Sequence, residues 1–211
     1  MKALGCLAVV VLILAAVGMF GVGVYNNLVG LGQSVDAQWG QVEAVYQKRA
    51  DLVPNLVATV QGAANFEKST IVAVTEARAS VGQVKLDPRT LTSDPAALAR
   101  FEQAQGALSG ALSRLLVVAE NYPELKANEN FKELQAQLSS IEEQIKGERN
   151  RYNERAQAYN TARLRFPASL IANFAGFKDR AYFKAEAGSE TAPKVQFGAS
   201  PAPSASAPAP R

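Results

Sequence analysis

Between Lys2 and Asp36 no charged side chain interrupts the chain, and Leu4 to Val24 is almost wholly apolar. Twenty-one residues at about 1.5 Å per residue give roughly 31 Å, the thickness of a bilayer's hydrocarbon layer. The segment predicts a transmembrane helix over residues 4–25, with a short flank at 1–3. Tyr25 falls at the depth where aromatic residues meet headgroups, and Asn26 and Asn27 follow it.

A cleavable signal peptide is the competing reading, with Lys2 as its basic region and a small-residue site after Gly18. The basic region is thin, and the apolar run continues past that site. A lipid-modified Cys6 does not fit, because its apolar stretch follows the cysteine instead of preceding it. Lys2 precedes the span, and Asp36 and Glu43 are the first charges after it. The positive-inside rule then places the N-terminus in the cytoplasm and the body on the outer side.

From Leu28 to Phe166 the dominant signal is apolar residues in alternating steps of three and four. Leu28, Leu31, Val35, Gln38, Val42 and Val45 follow it, as do Leu98, Phe101, Gln105, Leu108, Leu112 and Leu115. The longest run reads Phe131, Leu134, Leu138, Ile141, Ile145, Glu148, Tyr152, Arg155, Tyr159, Ala162 and Phe166. Such stripes are buried when helices pack side by side at shallow angles. No stretch alternates like a strand. The fold class is therefore all-α: an N-terminal transmembrane helix, then an antiparallel up-down bundle of about four long helices over residues 26–166.

Prolines punctuate the pattern. Pro54 either opens a second helix capped by Asp51 or kinks one very long helix. Leu86-Asp87-Pro88 ends one element, Ser93-Asp94-Pro95 starts the next, and Asn121-Tyr122-Pro123-Glu124 turns into the last. Phe166-Pro167 closes it. Residues 167–197 are too rich in aromatics for a free tail and are expected to pack on the bundle or the membrane. The Pro/Ala/Ser tract 198–211 has too few large apolar groups to offset its ordering entropy.

The chemistry is sparse. The chain has no histidine and one cysteine. That removes Ser-His-Asp and Cys-His arrangements, Glu-x-x-His metal sites and any intrachain disulfide. No catalytic, cofactor or metal site is expected, and no small-molecule substrate is evident. A net charge of +3 without a dense basic run does not point to nucleic acid. Glu142, Glu143 and Glu154 read as a solvated face. Glu148 and Arg155 both fall on the apolar seam and are expected to form a buried structural pair. Trp39 reads as core, Arg49 and Asp51 as turn-stabilising residues, and Gly106 and Gly110 as a place of close helix approach.

From Gln144 to Lys184 there are nine Lys or Arg against three acidic residues. Arg163, Arg165, Lys178, Arg180 and Lys184 interleave with Phe166, Phe174, Phe177 and Tyr182. In an up-down bundle the end of the last long helix returns to the bilayer. These nine residues are the expected membrane interface, with anionic headgroups as partners.

Several segments together resemble the LemA family: Tyr25-Asn26-Asn27-Leu28-Val29, Arg49-Ala50-Asp51-Leu52-Val53-Pro54-Asn55, Leu112-Ser113-Arg114-Leu115-Leu116, Tyr122-Pro123-Glu124-Leu125-Lys126, Arg151-Tyr152-Asn153 and Gly176-Phe177-Lys178. The resemblance covers about residues 1–197, with Gly40 standing where the family pattern has serine. It implies a bacterial inner-membrane protein built on long helices, and it carries over no established enzyme activity. A magnetosome-associated relative implies, by analogy, a role in organising or shaping membrane. The partners expected are the lipid bilayer and either a second copy or another membrane protein. The function expected is that of a non-catalytic scaffold of the envelope; the alternative is a ligand-binding or sensory bundle.

Overall fold

The computed structural model describes residues 2–63, 66–84 and 88–184, with side chains from residue 11 onward. The 198–211 tail lies outside them. Among the described residues seven helices follow in order: α1 (Lys2–Gln61), α2 (Lys68–Gln83), α3 (Pro88–Ser93), α4 (Pro95–Ala119), α5 (Pro123–Ala127), α6 (Glu129–Leu164) and α7 (Ala168–Phe174). Among the described residues there is no strand. The long helices run alternately up and down; α1 packs chiefly on α6, and α2 on α4.

The apolar segment and the first bundle helix are one element. α1 is 60 residues long, so the helix runs unbroken through residue 25. The helix is long and apolar enough to cross a membrane, and from Val11 onward its most apolar stretch is only 6% buried. Its second half supplies the centre of the core, with Leu28, Val35, Trp39, Val42, Val53, Leu56 and Val60 all buried.

Pro54 sits inside this helix. A proline has no N–H, so the carbonyl of Ala50, four residues back, loses its helical partner. Arg78 of α2 replaces it, donating Nε–H to the Ala50 oxygen at 2.9 Å. The helix therefore continues past Pro54 and ends seven residues later. Replacing Arg78 by Met should cost about 1–2 kcal/mol by leaving that carbonyl unpaired. In a Pro54→Ala background an N–H returns and the cost should shrink. Thermal unfolding of both pairs checks this; equal costs in the two backgrounds would sink the account.

The other breaks form where the sequence puts its capping groups. Asp94 accepts from the Ala96 N–H at 2.9 Å and Pro95 occupies the first turn of α4. Asn128 caps α6 by accepting from the Phe131 N–H. The short helices α3 and α5, each opened by a proline, are additions that the stripe of apolar residues does not announce.

The seam along α6 departs from the expected one after Tyr152. The buried residues there are Tyr152, Ala156, Tyr159 and Asn160. A straight helix keeps 3.6 residues per turn, so a strict alternation of three and four steps drifts off its buried face. Arg155 consequently faces solvent. Glu148 instead pairs with Arg151 and accepts from Gln38 Nε2 at 2.6 Å. The Glu148–Arg155 pair expected from the seam is not formed.

Residues 175–184 are an extended strap laid along α6. Gly176, at φ 74°, takes the left-handed conformation that closes α7, and the Phe177 N–H returns to the Ala172 oxygen at 2.9 Å. Two asparagines then hold the strap as a neighbouring strand would. Asn160 accepts from the Arg180 N–H at 2.8 Å and donates to the Arg180 oxygen at 2.9 Å. Asn153 does the same for Phe183, at 2.9 and 3.0 Å. The spacing explains why both fit. Seven helical residues advance about 10.5 Å, and three extended residues advance roughly 10 Å. Replacing Asn160 by Leu should cost about 2 kcal/mol, because both strap groups lose their partners. Faster amide exchange at Arg180 is the expected reading, and unchanged protection there would contradict the role given to Asn160.

Candidate functional site

Two apolar cores are stacked along the bundle. One contains Val35, Trp39, Val42, Phe101, Ile145, Tyr152, Tyr159 and Phe183; the other contains Val53, Leu56, Val60, Leu108, Leu112, Leu115, Phe131 and Leu138. A polar layer centred on Arg49 separates them. Arg49 is 1% exposed. Its Nη2 donates to the Gln105 backbone and side-chain oxygens, and its Nη1 donates to Ser109 Oγ and, at 2.8 Å, to Glu142 Oε1. One α1 guanidinium thus ties α4 to α6, two helices that otherwise barely meet. Arg49 is not at a turn; it is the bolt between three helices.

Because α4 and α6 stand apart, a cleft of about 820 Å³ opens beside this bolt, lined by Arg49, Glu102, Gly106, Ser109, Glu142 and Arg149 among others. Gly106 and Gly110 face open space there and bring no backbone close. Arg149 spans the cleft's edge, pairing with Glu102 at 2.9 Å and donating to the Lys184 oxygen at 2.9 Å. Burial pushes the Glu102 carboxyl above its ordinary pKa, while Arg149 pulls it down.

A second cleft, of about 470 Å³, lies between α1, α2 and α4 and is lined by Trp39, Glu43, Tyr46, Arg78 and Gln105 among others. Trp39 is 1% exposed. It stacks on Phe183 at 5.7 Å and meets Phe101 and Tyr152 edge-on at 5.3 and 5.6 Å. Its Nε1–H finds no acceptor among the described residues. Among those residues, no three His, Cys, Asp or Glu side chains gather as metal ligands do.

The basic and aromatic residues of the C-terminal part separate into two groups. Arg180 is an internal tie: it pairs with Asp36 at 2.9 Å, donates to Thr92 Oγ1 and lies 5.6 Å over the Tyr159 ring. Tyr182 accepts from Asn160 Nδ2 at 3.0 Å. Lys184 lies at the cleft beside Arg149. Tyr152 and Tyr159 donate to the strap oxygens of Ala181 and Lys178, at 3.0 and 2.9 Å. Burial raises both phenols above the ordinary tyrosine range. The strap therefore carries Arg180, Tyr182 and Lys184 up the bundle, away from the apolar segment. Phe177 stays low, edge-on to Tyr25 at 5.4 Å, and Arg163 pairs with Asp179 at 3.4 Å. Arg165, Phe166, Phe174 and Lys178 are exposed at that same end.

Comparison with known proteins matches the LemA family model to residues 38–197. The chain belongs to the LemA family. The match begins within α1, past the apolar segment and the first turns of the core, and takes in the described body from residue 38 onward of this LemA-family chain. Magnetosome protein MamQ of Magnetospirillum gryphiswaldense is 28% identical over 182 residues, covering 79% of this chain and 67% of the relative. Magnetosome protein MamQ 2 of Paramagnetospirillum magneticum is 26% identical with the same coverage. Protein LemA of Metamycoplasma hominis is 23% identical over 164 residues, covering 78% of this chain and 70% of the relative.

Sequence patterns missed three features of this LemA-family body: the Arg49 layer, the Arg78 cap on Ala50, and the asparagine pair. Only the last left a legible trace, two asparagines seven apart on one helix.

Proposed function

We propose that this LemA-family chain is a single-pass, non-catalytic scaffold of the bacterial inner membrane that holds a rigid helical body against the bilayer and presents it to a partner or a second copy. The observation that carries the proposal is the continuity of α1. An anchor joined to its domain by a flexible linker lets the domain tumble; an anchor that is also the domain's central core helix fixes the domain's tilt and height. The polar groups inside the body support the same reading, since Arg49 joins helices to one another and Asn153, Asn160 and Arg180 join helices to the strap. The resemblance to magnetosome proteins is compatible with a role in organising membrane, and a body on the outer side follows the charge pattern around the span.

Photo-crosslinkers placed in intact membranes at Val72 and Val117, both exposed on the body, test the scaffold role. A discrete crosslinked species from at least one position is expected. A strictly monomeric chain from both, in membranes that resist carbonate extraction, would count against it.

The Trp39 cleft favours a second reading, a ligand-binding module. A buried indole N–H without an acceptor among the described residues, beside a cleft of about 470 Å³, is the arrangement that a small polar ligand would satisfy. Native mass spectrometry of the purified chain separates the two: a stoichiometric co-purifying molecule lost in Trp39→Phe supports the module, and its absence removes it.

A further inference from the structure

We infer that α7 and the turn leading into it form a second membrane contact, an apolar wedge seated in the leaflet where α1 leaves the bilayer. The inference rests on the anchoring reading above and adds the side chains through which the body itself meets lipid.

Leu164, Phe166, Leu170 and Phe174 are 67%, 81%, 63% and 97% exposed. Leu170 and Phe174 are four residues apart in α7 and share a face. Large apolar side chains left uncovered together on one short helix and the turn leading into it mark a surface made for contact. Its position says what covers it. A Cβ built on Gly21 would lie 4.0 Å from Ile171 Cδ1. Gly21 is four residues before Tyr25, so α7 reaches roughly 6 Å back along α1 from the interfacial tyrosine. It therefore lies beside the last apolar turns of the span, not beyond them.

The side chains of α1 at that level are themselves uncovered: Val17, Phe20 and Val22 are 63%, 53% and 61% exposed. α7 lies against α1 at this level, with Ile171 beside Gly21, so the two sets of uncovered apolar side chains share one depth. Charge completes the pattern. α7 has no charged residue, while exposed Arg165 precedes it and exposed Lys178 follows it. An apolar centre with cations at its edges suits the boundary between acyl chains and anionic headgroups. The wedge comprises Leu164, Phe166, Leu170 and Phe174 with Arg165 and Lys178; Arg180, Tyr182 and Lys184 belong to the bundle.

The test uses the full chain in a Cys6→Ala background, reconstituted in vesicles of phosphatidylcholine and phosphatidylglycerol. An environment-sensitive fluorophore is attached through Phe174→Cys, with Val17→Cys in the span and Lys132→Cys at the far end as references. Lipids carrying a nitroxide near the top of the acyl chain act as quencher. The labels at 17 and 174 should be quenched at least about twofold more than the label at 132, as insertion roughly 5–10 Å into the boundary requires. Quenching at 17 without quenching at 174 overturns the wedge and leaves the anchor standing. Quenching at neither overturns both. A label at 174 that is shielded but indifferent to lipid quencher, and that becomes exposed when the protein is diluted among vesicles, assigns the patch to a second copy and overturns the wedge. Phe174 is 97% exposed, so its replacement leaves the fold intact, as an unchanged helical spectrum will show.

Discussion

Replacing Arg49 by Met is expected to destabilise the body by about 3 kcal/mol, because it strands the Gln105 oxygens beneath two helices. For a body of this size that corresponds to a fall of roughly 6–12 °C in Tm. The partner carboxylate should matter much less. Glu142 is 39% exposed, so water can solvate it, and Glu142→Gln should cost under about 1 kcal/mol. The asymmetry is the informative part. If the ion pair were the source of stability, both substitutions would cost alike. If the arginine acts as a bolt whose main partners are the Gln105 backbone and side chain, only Arg49→Met is severe. Thermal unfolding of the detergent-solubilised chain, followed by circular dichroism, decides between them.

Trp39→Ala should be at least as damaging, at about 3–5 kcal/mol, the range for removing a large aromatic from a packed core. It carries a second, more specific consequence. Phe183 stacks on Trp39 at 5.7 Å with the ring planes 10° apart, and it is the strap's own contribution to the core. Without the indole, the strap keeps Tyr152 and the asparagine bonds but loses its largest apolar contact. Hydrogen exchange should therefore rise at the Phe183 and Arg180 amides more than at the centre of α6. Trp39→Phe, which keeps an aromatic face, should retain most of the protection. A uniform rise across the whole body in both variants would mean that Trp39 supports the core without holding the strap.

Much of this architecture is written locally and can be read locally. The apolar run, the Asp94-Pro95 helix start, and the seam positions up to Tyr152 depend on neighbours a few residues away. What escaped depends on distant ones. Pro54 looks like a helix boundary until Arg78, from another helix, supplies the missing donor to Ala50. Arg155 looks buried on an ideal seven-residue repeat, but a straight helix drifts and turns it outward. Arg49 looks like a turn-stabilising residue because nothing local shows that Gln105, Ser109 and Glu142 converge on it.

The basic-aromatic end was legible as a group and illegible in its division. Composition marks residues 163–184 as cationic and aromatic. It cannot show that the chain reverses at Gly176 and climbs α6, taking Arg180, Tyr182 and Lys184 with it. That reversal needs the asparagine pair as well as the glycine, and the two asparagines act only across the space between two segments.

The account stands on α1 being one unbroken helix from the apolar segment into the core. Spin labels attached through Leu14→Cys and Lys48→Cys, in a Cys6→Ala background and in lipid nanodiscs, measure it directly by pulsed electron resonance. Both positions are exposed, and thirty-four residues of helix at about 1.5 Å each place them roughly 51 Å apart. A narrow distribution near that distance is the predicted result. A broad distribution, or one centred below about 40 Å, where a bent or unwound helix would place the labels, would contradict the account.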